Sequence, residues 1–166
     1  MTDFGRRVAA AAANVLPKTG QTTVYHVGDD GTYQAGWEGE RFTDNGDGTI
    51  TDNATNLMWP KDAEDAGLDM QARAWQDQID HIKGLTFAGY SDWRMCNLFE
   101  LANLVNWIQD QPAINAIIQN AQTTYPWIST TVHGNSTRAW YWNSDYPYID
   151  SVAKTALTIS LCVRDV

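Results

Sequence analysis

The run from Arg41 to Trp59, RFTDNGDGTITDNATNLMW, constrains the fold more than any other part of the chain. Phe42 precedes an Asn45-Gly46-Asp47-Gly48 turn, and Thr49-Ile50-Thr51 leaves it as a β-branched return strand. Gly and Asn supply the positive φ angles that tight hairpin turns require, so the segment reads as a β-hairpin. A second turn, through Asn56, follows at once.

Other elements are arranged around this hairpin. TVYHV (Thr23 to Val27) reads as a strand and Gly28-Asp29-Asp30-Gly31 as a turn. Asp69 can cap a helix with Ala72, Trp75, Ile79 and Ile82 on one stripe, stopped at Lys83-Gly84. Asn97 and Glu100 stand in capping-box spacing ahead of Leu101, Leu104, Val105 and Ile108. Pro112 opens a shorter helix containing Ile114, Ile117 and Ile118. Beyond Tyr125 the pattern changes to strands. Trp127 to Val132 and Arg138 to Asn143 flank a predicted loop, His133 to Thr137. The run TALTISLCV alternates, with Leu157, Ile159, Leu161 and Val163 on one face and Thr158, Ser160 and Cys162 on the other. Hairpin, helices and then more strands predict an α+β fold with a mixed or antiparallel sheet and two main helices.

Charge narrows the partners. The formal net charge is -9, from 20 acidic against 11 basic residues. Such a chain is repelled by phosphate backbones, so nucleic acid is not an expected partner, and anionic membranes and sulfated glycans are disfavoured on the same ground. No apolar run reaches transmembrane length, so membrane insertion is not expected. The opening MTDFGRRVAAAAANVLP reads as an Ala-rich helix rather than an export signal. Residues 1–17 are taken as an attachment segment and 18–166 as the main domain, with Lys18-Thr19-Gly20 as the hinge.

Several segments together resemble the family typified by the C-terminal domain of the Legionella collagen-like adhesin, found in bacterial secreted proteins and in phage or prophage proteins. The matching pieces are KTGQT (from Lys18), GDDGTYQAG (from Gly28), the Arg41 hairpin, AGYSDWR (from Ala88), NLFEL (from Asn97), WISTT (from Trp127) and CVRD (from Cys162). They run in the family's order over nearly the whole chain. The chain departs from the family pattern with Met95-Cys96 in place of Leu-Pro, and with Asn56 in place of Gly. Asn tolerates the left-handed conformation better than most residues other than Gly, so that turn is expected to survive. The resemblance implies a C-type-lectin-like scaffold, related to formylglycine-generating enzymes, that presents a binding surface on its late strands and loops.

The segment His133 to Asp150 is the expected working surface. Trp140 and Trp142 share one face of a strand and Tyr141 takes the other, followed by Asn143, Asp145, Tyr146 and Tyr148 in a predicted loop. These residue types offer large flat contact beside adaptable hydrogen bonding. The competing reading places Trp140 and Trp142 in the core.

Other chemistries find less support. Asp44, Asp47 and Asp52 invite a calcium reading, but the terminal Glu of an EF-hand loop is missing and turn chemistry accounts for each residue. The Trp-Asn-Asp motif of calcium-dependent lectins is interrupted at Trp142-Asn143-Ser144-Asp145. No cofactor is expected. His26, His81 and His133 are scattered, and no nucleophile or phosphate-loop motif occurs, so the chain reads as non-catalytic. Cys96 and Cys162 are either one disulfide or two buried thiols. The functional expectation is recognition of a cell-surface glycan or protein by a virion-associated, secreted or cell-surface protein, working as a homo-oligomer or within a larger assembly. The alternative is a structural subunit whose aromatic surface packs on its neighbours.

Overall fold

A computed structural model describes residues 16–65, 67–69, 71–108, 117–120, 125–143, 146 and 148–166. Antiparallel strands β1 (Phe42–Asp44), β2 (Thr49–Asp52), β3 (Leu57–Pro60), β8 (Cys162–Asp165) and β4 (Arg94–Met95) lie side by side in that order. A second antiparallel sheet contains β5 (Trp127–Val132), β6 (Asn135–Asn143) and β7 (Tyr148–Ala153). Among the described residues the helices are α1 (Asp30–Tyr33), α2 (Trp75–Lys83) and α3 (Leu98–Leu104). This is the α+β class expected from the sequence.

The predicted hairpin forms as read. Thr43 pairs with Thr51 across a turn in which Gly46 and Gly48 have φ of 76° and 92°. Asn56 takes the left-handed conformation in the second turn, at φ 58°. Strand β3 is buried along its length, because both of its faces are covered. Leu57 and Trp59 enter one cluster with Ile50, Leu101, Leu104, Ile128 and Trp142, while Met58 enters another with Ile82, Trp93, Met95 and Trp127. A strand buried on both faces loses the alternation that normally marks it.

The terminal run corrects the sequence reading for this reason. Ser160, Leu161, Cys162 and Val163 are all buried, whereas Leu157 is exposed, so the predicted two-faced strand shortens to β8. Two further expectations fail. Thr23 to Val27 is not a strand: the Asp29 carboxylate accepts hydrogen bonds from the N–H groups of Tyr25, His26 and Thr32, which wraps the chain into a cap for the one-turn α1. Asp69 does not cap α2. It pairs with Arg73 instead, and the Arg73 backbone exchanges two hydrogen bonds with Thr158, so the helix starts only at Trp75. The capping box of Asn97 and Glu100 is present in full at α3. The predicted helix at Pro112 and the N-terminal helix lie outside the described residues, apart from Leu16, Ile117 and Ile118.

The SDWR segment acts as a clamp between elements. Asp92 accepts from Arg164 on β8, Arg94 bonds Glu100 of α3 and Asp165, and the Trp93 indole donates to the Phe87 carbonyl. The Arg164 guanidinium holds the Asp92 carboxyl below the usual carboxylate range.

Both cysteines are buried free thiols. Met95 pairs with Cys162, so Cys96, whose N–H bonds the Leu161 carbonyl, points to the opposite face of the sheet. Their side chains enter different core clusters, and a disulfide would need backbone rearrangement. Burial pushes both thiols up, Cys162 to about 12 and Cys96 further. Thiol labelling of the native protein at neutral or mildly alkaline pH is therefore expected to give almost no modification, and full labelling of both cysteines on unfolding. Rapid native labelling would contradict this burial.

Candidate functional site

The sheet β5–β6–β7 carries the candidate site, and its register decides which side chains share a face. Gly134, at φ 75°, turns β5 into β6. The predicted loop from His133 to Thr137 is thus a tight turn, and β6 starts at Asn135. Across β6 and β7, Trp142 stands opposite Ile149, Tyr141 opposite Asp150, Trp140 opposite Ser151 and Asn143 opposite Tyr148. Side chains of directly opposed residues lie on the same face. One face therefore holds Arg138, Trp140 and Trp142 with Ile149 and Ser151. The other holds Tyr141 and Asn143 with Tyr148 and Asp150.

The first face is mostly interior. Trp142 is wholly buried, meeting the Trp107 ring edge-on at 5.8 Å, and has no surface to offer a ligand. Its expected place in the contact surface is corrected to a core position. Trp140 is half-buried, and with Leu98 and Ile149 it lines a shallow apolar depression of about 280 Å³. Arg138 reaches across to the carbonyl of Ser151 and, at 3.2 Å, to its hydroxyl. That side chain covers the outer backbone of the edge strand β7, a common protection against unwanted strand pairing.

The second face is divided: Ala139 is buried and Tyr141 and Val152 pack against the second core cluster, while Tyr148 and Asp150 are exposed. Tyr125, at the entry to β5, meets Tyr141 at 6.1 Å between ring centroids with 80° between the ring planes. Tyr125, Tyr146 and Tyr148 are 43%, 55% and 45% exposed. Asn143 organises the neighbouring turn: its amide N–H donates to the Tyr148 hydroxyl at 2.6 Å, and its carbonyl oxygen accepts from the Tyr146 backbone at 3.4 Å. At 7% exposure Asn143 is a positioning residue rather than a contact. Partial burial, then the nearby Asp150 and Tyr148, raise Tyr141 above the usual phenol value, so it stays a protonated donor at neutral pH.

Two residues expected in a loop are strand residues: Asn143 ends β6 and Tyr148 begins β7. Asp145 lies outside the described residues. Tyr125 and Leu98 were not anticipated as site residues, and Ile149 and Asp150 were not singled out within the expected working segment. Asp150 and Ile149 were hidden because YIDSVA was not read as a strand, and Tyr125 because only the fold brings it beside Tyr141. Asp44, Asp47 and Asp52 are engaged by Lys61, Thr49 and Arg41, and no metal-binding group of His, Cys, Asp or Glu occurs among the described residues. No helix among those residues is long and apolar enough to cross a membrane.

The family model described as the Lcl C-terminal domain matches residues 48–164. No curated protein matches the chain.

Proposed function

The chain belongs to the Lcl C-terminal domain family, and from that premise we propose that it is a non-catalytic binding module for a cell-surface glycan or protein. The contact surface is the tyrosine-bearing face of β5–β7. The observation that carries this reading is the set of half-exposed rings Tyr125, Tyr146 and Tyr148 around the partly buried Tyr141, held on a sheet anchored in the core. Tyrosine gives a large amphipathic contact at low conformational cost, and a rigid support lowers the ordering cost of binding. In this reading the protein works on a cell surface, in a secreted product or on a virion, with residues 1–17 as the attachment segment.

An assembly subunit is the second reading. It is favoured by the Leu98, Trp140 and Ile149 depression together with Phe99, which is 76% exposed at the start of α3. The two readings use different faces, so one set of variants separates them. In a glycan and cell-surface binding screen, Tyr146→Ala with Tyr148→Ala is expected to weaken binding by roughly 30-fold, the size of two central aromatic contacts. Trp140→Ala is expected to leave that binding within about twofold. Equal binding by the wild type and the double tyrosine variant would remove the tyrosine face. A fall in solution mass with Trp140→Ala would favour the assembly reading instead.

A further inference from the structure

Resting on the second of these readings, we infer that the Trp140 depression receives the loop from Val24 to Tyr33 of a second copy of this chain. The loop is a built knob. The Asp29 carboxylate accepts from the N–H groups of Tyr25, His26 and Thr32 and from the Gln21 side-chain amide. Gly31 packs against Thr23, where a Cβ would come within 2.1 Å of the carbonyl oxygen. This frame holds apolar side chains outward: Val24, Tyr25, Val27 and Tyr33 are between 50% and 83% exposed. A tightly bonded loop that leaves four large apolar side chains in water marks an interaction surface.

The same chain supplies the complement. Leu98, Trp140 and Ile149 line the open apolar depression, and Phe99 stands exposed next to Leu98. Arg138 lies two residues from Trp140 on the same face of β6. It bonds neutral groups of Ser151 and, unlike Arg41, Arg73, Arg94 and Arg164, forms no ion pair among the described residues. The loop carries Asp29 and Asp30 and has no lysine or arginine. Apolar knob thus meets apolar hollow, and an acidic loop meets a guanidinium that lacks an acid. Within one chain the knob side chains stay exposed, so the two surfaces meet only between copies. With aromatic side chains of about 150–250 Å² each, the four apolar groups offer roughly 500 Å² per loop. Seated in the depression they bury roughly 1,000 Å² in total, the lower limit of a specific interface, so the contact is weak and reversible. It joins two different patches, so copies add head to tail rather than stopping at a two-fold pair.

Sedimentation of the full chain is expected to show a mass rising past that of a dimer over roughly 10–100 μM. A knob variant, Tyr25→Ser with Val27→Ser and Tyr33→Ser, and a hollow variant, Trp140→Ala, are each expected to associate at least about tenfold more weakly. Arg138→Gln, which removes the charge and leaves the hollow, is expected to weaken association roughly fivefold. Mixed in equal amounts, the knob and hollow variants are expected to recover a dimer that grows no further, because one keeps the hollow and the other the knob. Unchanged urea midpoints in the knob variant separate lost contact from lost folding, since its three positions are exposed. A wild-type monomer at the highest concentration, or a mixture of the two variants that stays monomeric, overturns the inference. If Trp140→Ala lowers the mass and the knob variant does not, the assembly reading stands and the loop is not its occupant. If neither variant lowers the mass, both fail.

Discussion

Trp142→Ala is expected to destabilise the protein by about 3–5 kcal/mol, while Tyr148→Ala, on the same hairpin, costs less than about 1 kcal/mol. Trp142 has no exposed surface and joins Trp59, Ile128, Leu101 and Val163 in the main cluster, with the Trp107 ring edge against it. Removing the indole opens a cavity that strands β3, β6 and β8 cannot all close at once, since each also packs on its other side. Its Nε1–H has no hydrogen-bond partner among the described residues, so its contribution is packing alone. Tyr148 is different. Its ring is 45% exposed and its hydroxyl serves as acceptor for Asn143, so truncation costs one partly solvated hydrogen bond and little buried area. Urea unfolding of the two variants measures the contrast directly. A Trp142→Ala cost below about 1 kcal/mol would mean that this ring is not part of the frame.

The contrast also explains why the working surface was only half legible in the sequence. Alternation correctly separated Trp140 and Trp142 from Tyr141, because a strand has a strict two-residue period. Nothing in that period says which face meets the core. Two tryptophans on one side look like a recognition platform and a core stripe equally well, and here the packing of α3 and β3 decides for Trp142. Strand β7 was missed because Asp150 and Ser151 interrupt its apolar residues, as suits an edge strand with one open side.

Elements defined by local chemistry were read most faithfully. The Asn45 to Gly48 turn and the Asn97 and Glu100 box each close through hydrogen bonds within a few residues. The Asp69 cap failed where a long-range partner, Thr158, competed for the same backbone. Likewise the strand expected at Thr23 to Val27 yielded to a carboxylate, Asp29, that its apolar pattern does not reveal.

Asp52→Ala is expected to cost about 3–5 kcal/mol, comparable to the Trp142 effect but for an electrostatic reason. Asp52 is 1% exposed and accepts from Arg41 Nη2 at 2.9 Å and Nε at 3.2 Å, and from the Ala54 N–H at 3.0 Å. Arg41 in turn donates to the Asn103 carbonyl of α3 and lies over the Phe42 ring at 4.5 Å. Losing the carboxylate would strand a mostly buried guanidinium, release an orphaned turn N–H and loosen the link between hairpin and helix. An Arg41→Met, Asp52→Ala double variant should be more stable than Asp52→Ala alone, because it no longer buries an uncompensated charge. Failure of the second substitution to recover any stability in denaturant unfolding would show that the Ala54 contact, not the ion pair, sets the cost. The first and last parts of the RFTDNGDGTITDNATN run are thereby coupled: Arg41 opens the hairpin, Asp52 closes it and starts the next turn, and the bond between them fixes that unit on α3.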